Sequence, residues 1–151
     1  MKTQSFSTEV TIVGGGIAGL VTAYHLLDSD KKVILFDRDC PENLGGLAKE
    51  SFGGIFFVNT KEQKKSGIQD SPELAFKDWC SFAEFENSDI WGKKWAEIYV
   101  DSSKDLVYSW LKEIGVKFMP VVHWVERGLF KPGNSVPRFH MVWGTGSELI
   151  K

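Results

Sequence analysis

Glu9-Val10-Thr11-Ile12-Val13-Gly14-Gly15-Gly16-Ile17-Ala18-Gly19-Leu20 decides the fold of this chain. Glu9 to Val13 reads as a short strand, and Gly14-x-Gly16-x-x-Gly19 follows it at once. Ile17, Leu20, Val21, Tyr24 and Leu27 then recur at helical spacing, which gives a helix of roughly three turns. Asp28-Ser29-Asp30 ends the helix with residues that prefer turns. Val33 to Phe36 is an uninterrupted apolar run, the pattern of a parallel strand covered on both faces. Strand, helix and strand make one right-handed βαβ unit over about 8–37.

The glycine spacing has a chemical reason. Gly14 lets the chain turn sharply out of the strand, Gly16 lets backbone approach a pyrophosphate, and Gly19 lets helix and sheet pack closely. The helix start presents unpaired N–H groups and a positive dipole end to phosphate. Asp37, at the end of the second strand, is placed to accept hydrogen bonds from the ribose hydroxyls of an adenosine half. An acid there disfavours a 2′-phosphate, although Arg38 stands beside it. Gly45-Gly46 and Ser51-Phe52-Gly53-Gly54 are further turns whose amides could reach the pyrophosphate. These features imply dinucleotide binding and leave FAD and NAD both open.

Composition fits an ordinary globular domain: 151 residues, 42% hydrophobic, 25% charged, net charge −2. That balance gives no general attraction to nucleic acid or anionic lipid. No apolar run is long enough to span a membrane, and the N-terminus lacks the apolar core of a secretory signal. Cys40 and Cys80 fit no metal spacing, and a reduced, cytoplasmic compartment is expected. Eleven phenylalanines and six tryptophans exceed the needs of a small domain, so most rings are expected to be buried or to seek a partner surface.

Beyond a glycine-rich loop over 41–54, a helical region is expected over about 72–114. Ser71-Pro72-Glu73 is a helix start, with Leu74, Ala75, Trp79 and Phe82 expected inward. A longer helical pattern runs from Lys93 to Ile114 with Trp95, Ile98, Tyr99, Leu106, Trp110 and Ile114 as its apolar stripe. Ser102, Ser103 and Asp105 are the residues placed to interrupt it, and Gly115 to end it. From Val116 onward the pattern assigns no element. His25 reads as structural or solvent-facing, and His123 as packed. Arg138 and His140, two apart on an extended segment, are placed to bind a carboxylate or shuttle a proton. A surface or inter-domain loop is the expectation for them, and no catalytic residue is assigned.

Thr11 to Leu20 with Ala23 and Val33 to Asp37 resembles the N-terminus of two-domain flavoproteins. Gly45-Gly46 with Ser51 to Gly54 resembles the second glycine region of the superfamily of fumarate reductase, succinate dehydrogenase and 3-ketosteroid dehydrogenase. Asp70 to Ala75, Lys94 to Asp101, Gly115 to Phe118 and Gly133 to His140 resemble a bacterial group described as FAD-binding dehydrogenases. The pattern departs at Asp37, where glutamate is commoner, and at Ala48, where a hydroxyl residue is common.

The resemblance implies an α/β fold with a Rossmann-like FAD-binding βαβ unit followed by a mainly helical segment. It implies FAD as cofactor, no metal, and a cofactor site drawn from Gly14, Gly15, Gly16, Ile17, Ala18, Gly19, Asp37, Arg38, Gly45, Gly46, Ser51 and Gly54. It further implies an FAD-dependent oxidoreductase acting on a carbon–carbon bond next to a carbonyl of a small-molecule substrate. Residues 1–151 would be the N-terminal portion of an incomplete FAD domain, whose partner is the missing C-terminal part with the substrate domain. The alternatives are an NAD-dependent dehydrogenase and a non-catalytic fragment.

Overall fold

A computed structural model describes residues 5–120 and 123–151. The chain divides into two compact units, residues 1–53 with 144–151 and residues 54–143.

The first unit is built on β1 (Val10–Val13), α1 (Ile17–Asp28) and β2 (Val33–Phe36). The strands pair in parallel with Val10 opposite Val33 and Val13 opposite Phe36. A 3-10 turn (Pro41–Asn43) leads to α2 (Gly46–Glu50), which packs on α7 (Thr145–Leu149). Among the described residues this sheet has two strands. One helix cannot cover both faces of it, and the expectation that β2 is covered on both faces fails. Val13 and Phe36 are exposed, and α1 has no buried residue.

The second unit holds β3 (Gly54–Phe56), α3 (Lys61–Lys65), α4 (Pro72–Ala83), α5 (Ile90–Ser102), α6 (Ser109–Glu113) and β4 (Phe139–Met141). β3 and β4 pair antiparallel, with Ile55 opposite His140. The region left unassigned after Val116 therefore returns to the strand that follows the second glycine region. Thr60 caps α3 with a full capping box to Gln63. Ser71 caps α4 by accepting from the Leu74 amide, with Pro72 in the first turn.

Two inward faces differ from expectation. On α4, Ala75 and Asp78 are buried, whereas Phe82 is exposed. Between α5 and α6, residues Ser103–Tyr108 wind as a π-helix, at the serines expected to interrupt the helix. The Ser102 and Ser109 hydroxyls bond back to the Ile98 and Lys104 carbonyls there. The wider turn resets the helical phase. The buried face becomes Ala96, Val100, Ser103, Tyr108 and Leu111, and Trp95, Ile98, Leu106 and Ile114 are exposed.

The core of the second unit gathers Val58, Ala75 and Val100, with Phe56, Phe76 and Trp79 packed against them. Phe57, Tyr108 and Phe118 surround the His140 ring at centroid distances of 5.2, 6.2 and 6.1 Å. Other rings stay outside: Trp91, Trp95, Trp124 and Trp143 are exposed, against the expectation that most are buried. His123 is likewise exposed rather than packed.

Candidate functional site

The glycine fingerprint spans the turn between β1 and α1. Gly14 has a φ of +106°, a conformation that side-chain-bearing residues rarely adopt, and its amide donates to the Phe36 carbonyl at 2.8 Å. The three signature glycines face different surroundings. A Cβ at Gly19 would lie 1.9 Å from the Gly14 carbonyl oxygen, so this position is closed by protein. A Cβ at Gly14 or Gly16 would meet no protein atom within 4 Å. Gly19 therefore serves helix–strand packing, and Gly14 and Gly16 line open space. Gly16 caps α1 with an extended backbone and no side-chain cap, and no acid occupies the first turn. The first amides of α1, including those of Ile17 and Ala18, thus lack intrahelical acceptors and face no competing carboxylate.

Gly15 is the buried member of the set, under Leu44 and beside Asp37. Its amide donates to Asp37 Oδ2 at 2.5 Å, and the Asp39 amide donates to Oδ1 at 2.8 Å. These bonds, the one from Gly15 foremost, hold the Asp37 carboxyl below its usual range. The carboxylate is exposed, and each oxygen keeps lone-pair capacity for a further donor. The shorter aspartate therefore still reaches the fingerprint turn. Arg38 is exposed beside it.

The second glycine region meets the first directly. Gly45 and Gly16 form a parallel bridge, and the Gly45 amide donates to the Gly15 carbonyl at 2.8 Å. Gly45 has a φ of +107° and no room for a Cβ beside Ile150. Gly46 lies so near the fingerprint that its Cβ would be 3.8 Å from the Gly16 Cα. The Ser51 hydroxyl is used locally: it donates to the Ala48 carbonyl and accepts from the Gly53 amide. Gly54 opens β3 and belongs to the second unit. The structure thus brings Gly14, Gly15, Gly16, Gly45, Gly46 and Asp37 into one neighbourhood.

Arg138 and His140 do not lie on a surface loop: both are fully buried. Arg138 Nε and Nη2 donate to Asp70, Nη1 donates to Asp78 and to the Asn134 side chain, and the guanidinium lies 5.7 Å from the Phe56 ring centroid. Gln63 donates to Asp70 and to the Pro137 carbonyl. His140 Nδ1 lies 2.8 Å from the Arg138 carbonyl, which can only accept, so Nδ1 carries the proton. Nε2 then accepts from the Thr60 hydroxyl at 2.7 Å. Sequence reasoning missed Asp70 and Asp78 as partners. The available signal was Asp78, one turn beyond Ala75 on the inward face of α4.

Tyr108 donates to Glu62, whose other oxygen lies 3.7 Å from Lys112 Nζ. Burial, then the Glu62 carboxylate, push the Tyr108 hydroxyl well up, so it stays a donor.

The buried groups make stability depend on pH in two windows. Burial lowers the His140 pKa below its ordinary 6.5 and outweighs the opposing pull of the Arg138 carbonyl and nearby carboxylates. The unfolded chain therefore takes up that proton first, and stability is lost as pH falls from 6.5 through the depressed folded value. Burial raises the Asp78 carboxyl, but hydrogen bonds from Ser135 and Arg138 outweigh it and hold it below 3.8. Its contribution is complete above 3.8 and is lost as pH falls through the lower folded value. Urea midpoints measured from pH 8 to pH 3 should fall in both windows, and His140→Gln should flatten the first alone.

Residues 9–151 match the FAD binding domain family. The chain is 46% identical over 147 residues to a KsdD-like steroid dehydrogenase of Mycolicibacterium smegmatis, covering 95% of this chain and 27% of that protein. The chain thus spans about a quarter of that relative's length. A flavocytochrome c3 fumarate reductase in its open conformation superposes with a TM-score of 0.73 at 28% identity, over 95% of this chain and 23% of the other. The fold also matches 3-ketosteroid-Δ4-(5α)-dehydrogenase of Rhodococcus jostii, solved with 4-androstene-3,17-dione, with a TM-score of 0.77 at 22% identity, over 95% and 34% of the two chains. No helix among the described residues is long and apolar enough to cross a membrane. A strand-turn-helix with open glycines, an acid at the end of β2 and this match place the chain in the FAD-binding domain family of flavoproteins.

Proposed function

We propose that the fingerprint holds the ADP half of FAD, and that the protein to which this domain belongs is a flavin-dependent oxidoreductase. The carrying observation is the empty space over Gly14 and Gly16, next to unpaired amides at the start of α1. Gly14, Gly16, Ile17, Ala18 and Gly19 would form the turn and helix start against the pyrophosphate. Gly45 and Gly46 would close it from the second glycine region. Asp37 would accept from the ribose hydroxyls with the lone pairs that Gly15 and Asp39 leave, and Arg38 would flank it. Ser51 would act by shaping the turn, and Gly54 by opening the strand beyond it.

Bound FAD supplies hydride acceptance and donation. This chain supplies binding and orientation. The names of the similar proteins support a small-molecule substrate oxidised or reduced at a carbon–carbon bond next to a carbonyl, with the substrate domain and the rest of the FAD domain supplied by further polypeptide. The free thiols of Cys40 and Cys80 support a reducing, cytoplasmic setting.

Gly16→Val tests the site. Its backbone φ of −75° suits valine, and no protein atom obstructs the new side chain. The variant should keep the circular dichroism and urea midpoint of the parent and lose FAD affinity by at least about tenfold. Unchanged FAD affinity in the folded variant would remove the pyrophosphate from this turn.

A further inference from the structure

The second unit contains a cavity of about 390 Å³ lined by Phe56, Trp79, Phe82, Glu126 and Asn134. β3 supplies Phe56, α4 supplies Trp79 and Phe82, and the loop ahead of β4 supplies the two polar groups. The walls are held in place. Phe56 and Trp79 meet edge to face at 5.3 Å. The Asn134 amide group is tied at both ends, accepting from Arg138 Nη1 at 2.8 Å and donating to Glu126 Oε2 at 3.3 Å. The loop is closed by the bond from the Asn134 backbone amide to the Glu126 carbonyl, and Lys131 ties it to Glu84 at 2.9 Å. A Cβ at Gly133 would lie 2.8 Å from that same carbonyl and 3.2 Å from Phe82, so loop and helix are already in contact. Phe82 nonetheless stays 55% exposed, a large apolar surface facing space that no side chain fills.

The lining defines the occupant. The volume lies in the range of small-molecule sites, about 300–1,000 Å³, and is too small for a folded partner. Three aromatic rings favour flat apolar ring systems. The charge of Arg138 lies behind the Phe56 ring and is answered by Asp70 and Asp78, so it offers an anion nothing. Glu126 stands exposed at the rim with Oε1 left to accept, which repels carboxylates and welcomes a hydroxyl donor. We propose that this cavity is a binding site for a neutral, fused-ring apolar molecule bearing a hydroxyl group, seated on Phe56, Trp79 and Phe82 with its hydroxyl donating to Glu126.

Equilibrium dialysis of the chain without FAD tests this separately from the flavin reading. Testosterone, a hydroxylated fused-ring probe, should bind saturably at one site. Fumarate should not compete. 4-Androstene-3,17-dione, with a ketone in place of that hydroxyl, should bind more weakly. Phe82→Ala and Glu126→Ala alter exposed side chains, so both should fold as the parent does. Each should weaken testosterone binding by about tenfold, the loss expected for one charge-assisted hydrogen bond or one aromatic wall. No saturable binding to the folded parent would overturn the proposal. So would equal binding to both variants, or competition by fumarate.

Discussion

Gly19→Ala is expected to cost this chain about 3 kcal/mol and its FAD affinity together. The added methyl would lie 1.9 Å from the Gly14 carbonyl oxygen and 3.4 Å from Ile12 Cγ2. The first of these is backbone, and it belongs to the turn that sets the pyrophosphate site. It cannot rotate aside as a side chain can. Relief requires α1 to move away from β1, which separates the helix start from Gly14. Urea unfolding and FAD titration on the same variant check this: both midpoint and affinity should fall. The contrast with Gly16→Val is the informative part, because there affinity falls alone. A Gly19→Ala chain with parental stability would mean that the close approach of α1 and β1 is not required.

Arg138→Met should destabilise the second unit by about 3–5 kcal/mol, the cost of leaving buried charge without its partner. The Arg138 and Asp70 side chains are fully buried and Asp78 is 9% exposed. Methionine fills much of the volume and supplies no donor. Asp70 would retain Gln63 and its own backbone neighbour Ser71, and Asp78 would retain Ser135. Both carboxylates would then face a protein interior without a cation, and their protonation would be favoured. The urea midpoint should therefore drop sharply at pH 7 and recover in part as pH falls toward 4, opposite to the parent. A double replacement, Asp70→Asn with Arg138→Met, should lose less than the sum of the single changes. Additive losses would show that the pair is not coupled.

The first unit was legible because its signals are local. Strand, glycine turn, amphipathic helix and acid follow one another within thirty residues, and each has a backbone reason. The roles within the turn were also readable: Gly14 for the turn, Gly16 for open approach and Gly19 for packing. The neighbourhood of Gly45 was anticipated as a turn, but its bridge to Gly16 depends on a fold-level return that spacing does not encode.

The second unit was less legible because its decisive contacts are distant in sequence. Arg138 finds Asp70 and Asp78 across 68 and 60 positions. β3 finds β4 across the whole helical region, and its three residues give too short an alternation to read. The apolar stripe expected on the long helix failed for a local reason. The π-turn at Ser103–Tyr108 shifts the phase, so Tyr108 and Leu111 face inward while Trp95 and Leu106 do not. Arg138 and His140 look like surface or substrate groups when charge is read residue by residue. Their burial becomes readable only with both aspartates in view.

Competition by ADP for bound FAD is the most direct measurement of the central claim. The account assigns the fingerprint and Asp37 to the ADP half of the cofactor. FAD should therefore bind to the folded chain, ADP should displace it, and FMN, which lacks that half, should bind neither tightly nor competitively. A folded chain that binds FMN as well as FAD, or whose FAD is indifferent to excess ADP, would contradict it.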